Sequence, residues 1–283
     1  MHASNAIRKR RVDVGTWLRV LICSLVALVV LVPLVSTAIN GLKTHGQLMA
    51  DPFGLPSPAH WSNYQSVLTN SRFWQQLKNS TIVTLATVGL TLLVGSMAAF
   101  VLARYEFAGR KFTFNLFILG MLFPTSVAML PLYILIRQVG LIDSHWGVIL
   151  PQVAFGLPVS ILILRDYFRG IPVELEEAAV IDGCSPFTFF WRILLPLSRP
   201  ALAAVAVLSM VGSWNAFLLP LLVLNDRDTW TLPLGVMQFQ GQYTSDWALV
   251  MAFVTVSMLP AVIFFLLAER HLIAGLTAGS VKG

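Results

Sequence analysis

NSTIVTLATVGLTLLVGSMAAFVLA, residues 79–103, is a run of 25 positions without Asp, Glu, Lys or Arg, closed off by Lys78 and Arg104. At about 1.5 Å per residue, a helix of this length rises about 37 Å. The hydrocarbon core of a bilayer is about 30 Å thick and takes about 20 helical residues to cross. Five more charge-free apolar stretches lie at 20–42, 112–136, 144–164, 200–225 and 247–268, so six membrane helices are expected. Two other gaps do not qualify. Residues 52–71 hold Pro52, Pro56, Pro58, His60, Asn63 and Gln65, and 229–245 is short and carries three glutamines. The expected fold class is all-α, a polytopic membrane helix bundle.

The composition agrees. Of 283 residues, 57% are hydrophobic and only 11% charged, against about a quarter charged in a soluble domain. That excludes a purely soluble protein and a disordered one. Two cysteines, Cys23 and Cys184, are too few for a disulfide framework.

The net charge of +6 is a topology signal rather than a nucleic-acid signal. With the N-terminus placed in the cytoplasm, the inner segments hold 14 Lys and Arg and the outer segments 5. The positive-inside rule then gives N-in and, with six spans, C-in. The expected order is a cytoplasmic basic segment at 1–19, a first span at 20–42 and an outer segment at 43–78. A five-span core follows at 79–268, with a large cytoplasmic loop at 165–199, and then a cytoplasmic tail at 269–283. The first span exceeds a signal-peptide h-region and lacks an A-x-A-like site before Lys43, so it reads as a retained anchor.

No acid or base falls in the middle of any expected span, whereas ion-coupled carriers usually place a titratable relay there. The polar residues present are mild: Thr81, Thr84, Thr87, Thr91, Asn115, Gln152, Ser213 and Asn215. Hydroxyls and amides hydrogen-bond a neutral, hydroxyl-rich solute but deliver no proton. Gln152 and Asn215 are the candidates for a solute path. The threonines read first as interhelical glue. Prolines at 33, 124, 131, 151, 158, 220 and 260 interrupt the spans, and such breaks are tolerated where a helix faces protein or a water-filled cavity.

The loop reads RDYFRGIPVELEEAAVIDGCSPFTFFWRILLPLSR, residues 165–199. Pro172 suits a first helical position, and Glu174, Glu176 and Glu177 place negative charge where the helix dipole favours it. Gly183 supplies a stop. Ser185 followed by Pro186 is a helix start, opening an aromatic helix that Pro196 ends. A short acidic surface helix, a turn and an interfacial aromatic helix are expected. A compact projection of this kind can dock on another subunit and carry motion to the spans; an ordinary amphipathic connector has the same composition.

Glu177-Ala178-Ala179, then Gly183, Ile193 and Leu195-Pro196, resembles the EAA motif of permease subunits in binding-protein-dependent ABC importers, with each defining position at the right spacing. Residues 229–252, 275–283, Trp214-Asn215 and, more weakly, Asn63-Tyr64 and Asn79-Ser80 are similar to maltose-type sugar permeases. The resemblance implies a coupling helix docked on an ATP-binding subunit. Glu177 and Asp182 would meet that subunit, Ala178 and Ala179 would pack into its cleft, and Gly183 would form the turn. It implies that the tail, through Gly275, Gly279 and Lys282, reaches the ATP-binding subunits. It also implies a second homologous permease, two ATP-binding subunits that hold ATP and Mg, and an extracytoplasmic solute-binding protein. The cargo would be a sugar, crossing the cell membrane by alternating access. The same architecture serves glycerol-phosphate or other small polar solutes. A stand-alone ion-coupled carrier and a structural scaffold are the readings from other classes.

Trp230, Phe239, Tyr243 and Trp247 give the last outer loop aromatic faces on which a sugar can stack, although Trp and Tyr also populate membrane interfaces. The chain has no G-x-x-x-x-G-K-[ST], so it is not expected to bind ATP itself. No H-E-x-x-H, no G-x-S-x-G and no Cys/His cluster is present. His2, His45, His60, His145 and His271 are scattered, and no catalytic or metal site is expected.

Overall fold

A computed structural model of the chain describes residues 14–239, 241 and 246–278. Among these residues there is no strand. Two compact units are distinguished.

The first unit comprises the chain up to Val67 together with Tyr243–Val256. Its long helix α1, Val14–Asn40, begins six residues before the expected span and carries Arg19 inside it. From Trp17 to Val35 its side chains are exposed almost without interruption. A helix that is apolar and exposed on all sides is suited to lipid or to a partner helix. Two short helices follow, α2 (His45–Ala50) and α3 (Ser62–Thr69). The Asn63-Tyr64 pair of α3 closes the end of α1. Asn63 Nδ2 donates to the carbonyls of Gly41 and Lys43 at 2.9 and 2.8 Å, and Tyr64 donates to Ala38 O at 2.7 Å. The Ala38 carbonyl lies in the last turn of α1, where carbonyls have no helical partner of their own, and Gly41 and Lys43 lie in the turn that follows. Lys43 is buried, its ammonium donating to Asp51 O at 2.8 Å.

The second unit comprises Leu68–Gln242 and Ser257–Gly283. Its central pair is α4 (Ser71–Arg104) and α7 (Trp146–Gly170). Small residues let these helices approach closely: a Cβ on Gly95 would lie 3.3 Å from Ser160 Cβ, and one on Gly156 would lie 3.7 Å from the Thr91 side chain. The start of α4 also clasps the outer loop. Asn79 Nδ2 donates to the carbonyls of Asp228 and Trp230, and Ser80 Oγ accepts from Leu232 N–H.

Two of the expected spans take another form. The stretch 112–136 is two helices, α5 (Arg110–Met121) and α6 (Thr125–Gln138), meeting at 102° across Leu122–Pro124. Pro124 cannot donate the hydrogen bond that would continue α5. At 12 and 14 residues the halves rise only about 18 and 21 Å, so neither crosses hydrocarbon alone.

The stretch 200–225 is also divided. The aromatic segment α9, Pro186–Leu197, meets α10, Arg199–Trp214, at 79°. α10 stops at Trp214, and the rest forms the short helix α11, Leu218–Val223. Among the described residues, four helices are long and apolar enough to cross a membrane, and six spans are reached when each bent pair counts as one.

Within α9 the helix widens to a π-turn at Phe190–Leu194 just before Pro196, which has no N–H for the Arg192 carbonyl. The chain continues through α12 (Leu232–Gly235) and ends in α13, Trp247–Ala278. Helix therefore extends through most of the expected tail, and Gly275 sits on it. Gly279 and Lys282 lie outside the described residues, as does Tyr243.

Candidate functional site

The helix expected in the 165–199 loop is α8, Glu174–Ile181, which starts two residues after Pro172. Glu174, Glu176 and Glu177 occupy its first turn. Its end is a Schellman cap: Cys184 N–H donates to Ala179 O at 2.8 Å and Gly183 N–H to Val180 O at 3.0 Å. Gly183 has φ +78°, a left-handed conformation that costs a side-chain-bearing residue about 1–2 kcal/mol. Ser185 then caps α9 by accepting from Thr188 N–H at 3.2 Å, with Pro186 in the first turn. The turn chemistry read from Gly183, Ser185 and Pro186 is present in each part.

One residue of the motif faces the other way. Ala179 is only 6% exposed and lies in an aromatic core with Phe100, Leu164, Phe168, Phe189 and Phe190. Phe100 stacks on Phe190 at 5.2 Å between ring centres. Ala179 is therefore the foot of α8 on its own bundle, and its side chain is not open to the partner cleft expected for it. Those neighbours are open: Glu177, Ala178 and Asp182 are exposed, and Ile181 is 85% exposed beside exposed Val180.

Arg104, at the end of α4, is the second attachment, and the motif reading did not single it out. It donates to Ile171 O at 2.9 Å and pairs with Glu176 at 3.6 Å, its side chain only 7% exposed. Tyr105 beside it has its phenol pKa raised by burial and, less, by the Glu176 charge. A 650 Å³ cleft opens between Arg104 and α8, lined by Glu176, Glu177, Val180 and Ile181. The signal for Arg104 in the sequence was a lone Arg at the end of an apolar run, which any membrane helix shows.

The second feature is a 480 Å³ cavity lined by α4, α6, α7, α10 and α11. Gln152 is its polar centre. Its Oε1 accepts from Thr87 Oγ1 at 3.0 Å and from Ser213 Oγ at 2.7 Å. Its Nε2 is buried and has no hydrogen-bond partner among the described residues, and the same holds for the hydroxyl of Thr91. Both residues line the cavity, whose lining among the described residues has no charged side chain. Asn215 is not part of it: it is exposed, and its amide donates back to Val211 O at 2.9 Å. Asn215 ends α10 outside the cavity, whose polar lining beside Gln152 comes from Ser213, Thr87 and Thr91.

The outer-loop aromatics divide. Trp230 is half-buried, donates to Leu224 O at 3.0 Å and packs into the core around Val83, Val148 and Leu234. Trp247 is exposed at the start of α13.

Three comparisons bear on this architecture. Residues 91–277 match the family described as binding-protein-dependent transport system inner membrane component. The arabinooligosaccharides transport system permease protein AraQ of Halalkalibacterium halodurans is 34% identical over 98% of this chain and 100% of its own length. A putative ABC transporter permease of Caldicellulosiruptor sp. is 40% identical over 89% of this chain and 92% of its own. In fold, a chain from the crystal structure of a bacterial ABC transporter involved in importing the acidic polysaccharide alginate superposes with TM-score 0.80 at 21% identity, covering 95% of this chain and 99% of that one. The protein is thus an integral membrane subunit and belongs to the family of binding-protein-dependent transport system inner membrane components, the permeases of ABC importers.

Proposed function

We propose that this permease moves a di- or oligosaccharide inward by alternating access, driven through α8 by separate ATP-binding subunits. The observation that carries the reading is the form of the loop. Ala179 and Arg104 fasten α8 to the bundle, while Glu177, Ala178, Val180, Ile181 and Asp182 project as a small acidic and apolar knob. A rigid link with an exposed head transmits a push; a flexible connector does not. Gly183 lets the chain reverse without loosening that link. ATP and Mg would be held by the two partner ATPases, and this chain would bind no cofactor and catalyse no reaction itself.

The cavity supports a sugar. Unpartnered Gln152 Nε2 and the Thr91 hydroxyl offer hydrogen bonds to hydroxyl groups, and no cation is present to hold a phosphate ester. The relatives are named for arabinooligosaccharides, starch degradation products and trehalose. A second permease would close the path, a solute-binding protein would deliver the sugar outside, and the setting would be the cell membrane with both termini in the cytoplasm. In the reassembled transporter in proteoliposomes, Glu177→Lys should abolish most solute-stimulated ATP hydrolysis while the complex still assembles. Stimulation at the wild-type level would refute the coupling role.

A further inference from the structure

A second pocket, about 730 Å³, lies at the end of the bundle where α4 finishes, α5 begins and α7 finishes. Four cations line it: Arg110 and Lys111 from the start of α5, and Arg165 and Arg169 from the last turns of α7. Two carboxylates are close. Glu106 pairs with Arg110, and Asp166 lies 3.4 Å from Arg165. Lys111 and Arg169 are exposed and form no ion pair with a described residue. Two positive charges are therefore left over. The Arg165 guanidinium sits 3.9 Å above the Phe114 ring, which holds it at the pocket wall.

We propose that this pocket binds the phosphodiester headgroup of an anionic phospholipid, with the acyl chains running along α5. The surplus positive charge calls for an anion, and two further observations, the place of the pocket and the apolar stripe beside it, favour a lipid over a free one. The pocket is at the helix ends, where headgroups lie. Its surplus charge is positive, and basic pockets between membrane helices hold anionic headgroups. From its rim an exposed stripe, Phe112, Leu116, Leu119 and Phe123, runs down one face of α5 and just beyond it at helical spacing. A free phosphate has no use for that stripe, whereas an acyl chain lies along it. The site would make the α4–α5 and α7 ends, next to the Arg104 anchor of α8, sensitive to lipid charge. The inference does not depend on the solute class or on the coupling role of α8.

The test uses the assembled transporter in nanodiscs of phosphatidylcholine and phosphatidylglycerol in equal parts, with retained lipid read by mass spectrometry of the intact complex. Phosphatidylglycerol should be enriched, and the double substitution Lys111→Gln with Arg169→Gln should lower the enrichment about tenfold. Removing two cations at the opposite end, Arg72→Gln with Arg227→Gln, should leave it unchanged. If the first pair does not assemble, Lys111→Glu alone, at an exposed position, gives the same reading. Added inorganic phosphate should not displace the lipid. Unchanged enrichment in the Lys111 and Arg169 variants would overturn the proposal. So would displacement by inorganic phosphate, or capture of a protein subunit rather than lipid by a photo-cross-linker at residue 112.

Discussion

Gln152 carries more of the solute account than any other single side chain. Its carbonyl oxygen gathers Thr87 and Ser213 from two other helices, which leaves its amide hydrogens facing a cavity without a partner. Gln152→Leu should therefore act on transport more than on stability. Interhelical hydrogen bonds in membranes are worth about 0.6 kcal/mol each, so losing two costs the fold about 1 kcal/mol. Losing a hydrogen bond to a solute hydroxyl should raise the half-saturating solute concentration in an uptake assay about fivefold. At this scale the sequence was a partial guide. Gly183, Ser185 and Pro186 could be assigned because a cap or turn position depends on local backbone geometry. Ala178 and Ala179 could not be told apart, because which of two adjacent alanines points inward depends on where α4, α7 and α9 pack. Asn215 looked like Gln152 for the same reason, and its place at a helix end keeps it out of the cavity lining.

Helices α4 and α7 hold the second unit together, and their contact rests on residues without bulk. With a Cβ on Gly95 already 3.3 Å from Ser160 Cβ, the bulk added by Gly95→Leu must push its neighbours on α7 aside. It should cost about 1–3 kcal/mol as overpacking and lower the melting temperature of the detergent-purified protein. The attachment of α8 tests separately. Arg104→Ala removes the charged donor to Ile171 O and leaves Glu176 unpaired. Hydrogen exchange across residues 173–182 should rise about tenfold or more, as expected for losing a hydrogen bond to a charged group. ATP hydrolysis should respond less to solute. Apolar runs marked the four helices long enough to cross a membrane and both bent pairs, because a bilayer demands length and the absence of charge. They did not show that 112–136 turns through 102° or that α10 ends at Trp214. Charge-free composition is blind to bends, and Pro124 marked a break without saying how sharp it would be.

Charge asymmetry, helix content and the exposed knob of α8 join into one proposal for the whole protein: an outside ATPase moves the bundle by gripping Glu177, Ala178 and their neighbours. Fold class and family were readable early, since the bilayer restricts the options and the EAA spacing is specific. The buried half of the 165–199 loop was not, because it is written in aromatic packing between Phe100, Phe189 and Phe190 rather than in the motif. Cross-linking from Ala178→Cys, an exposed position beside the buried foot of α8, tests the grip directly in the assembled transporter. A thiol cross-linker should join this position to the ATP-binding subunit, with a yield that changes when ATP is added. Labelling of the same cysteine by a membrane-impermeant thiol reagent from outside intact cells, or a complex with no adduct to the ATP-binding subunit, would contradict it.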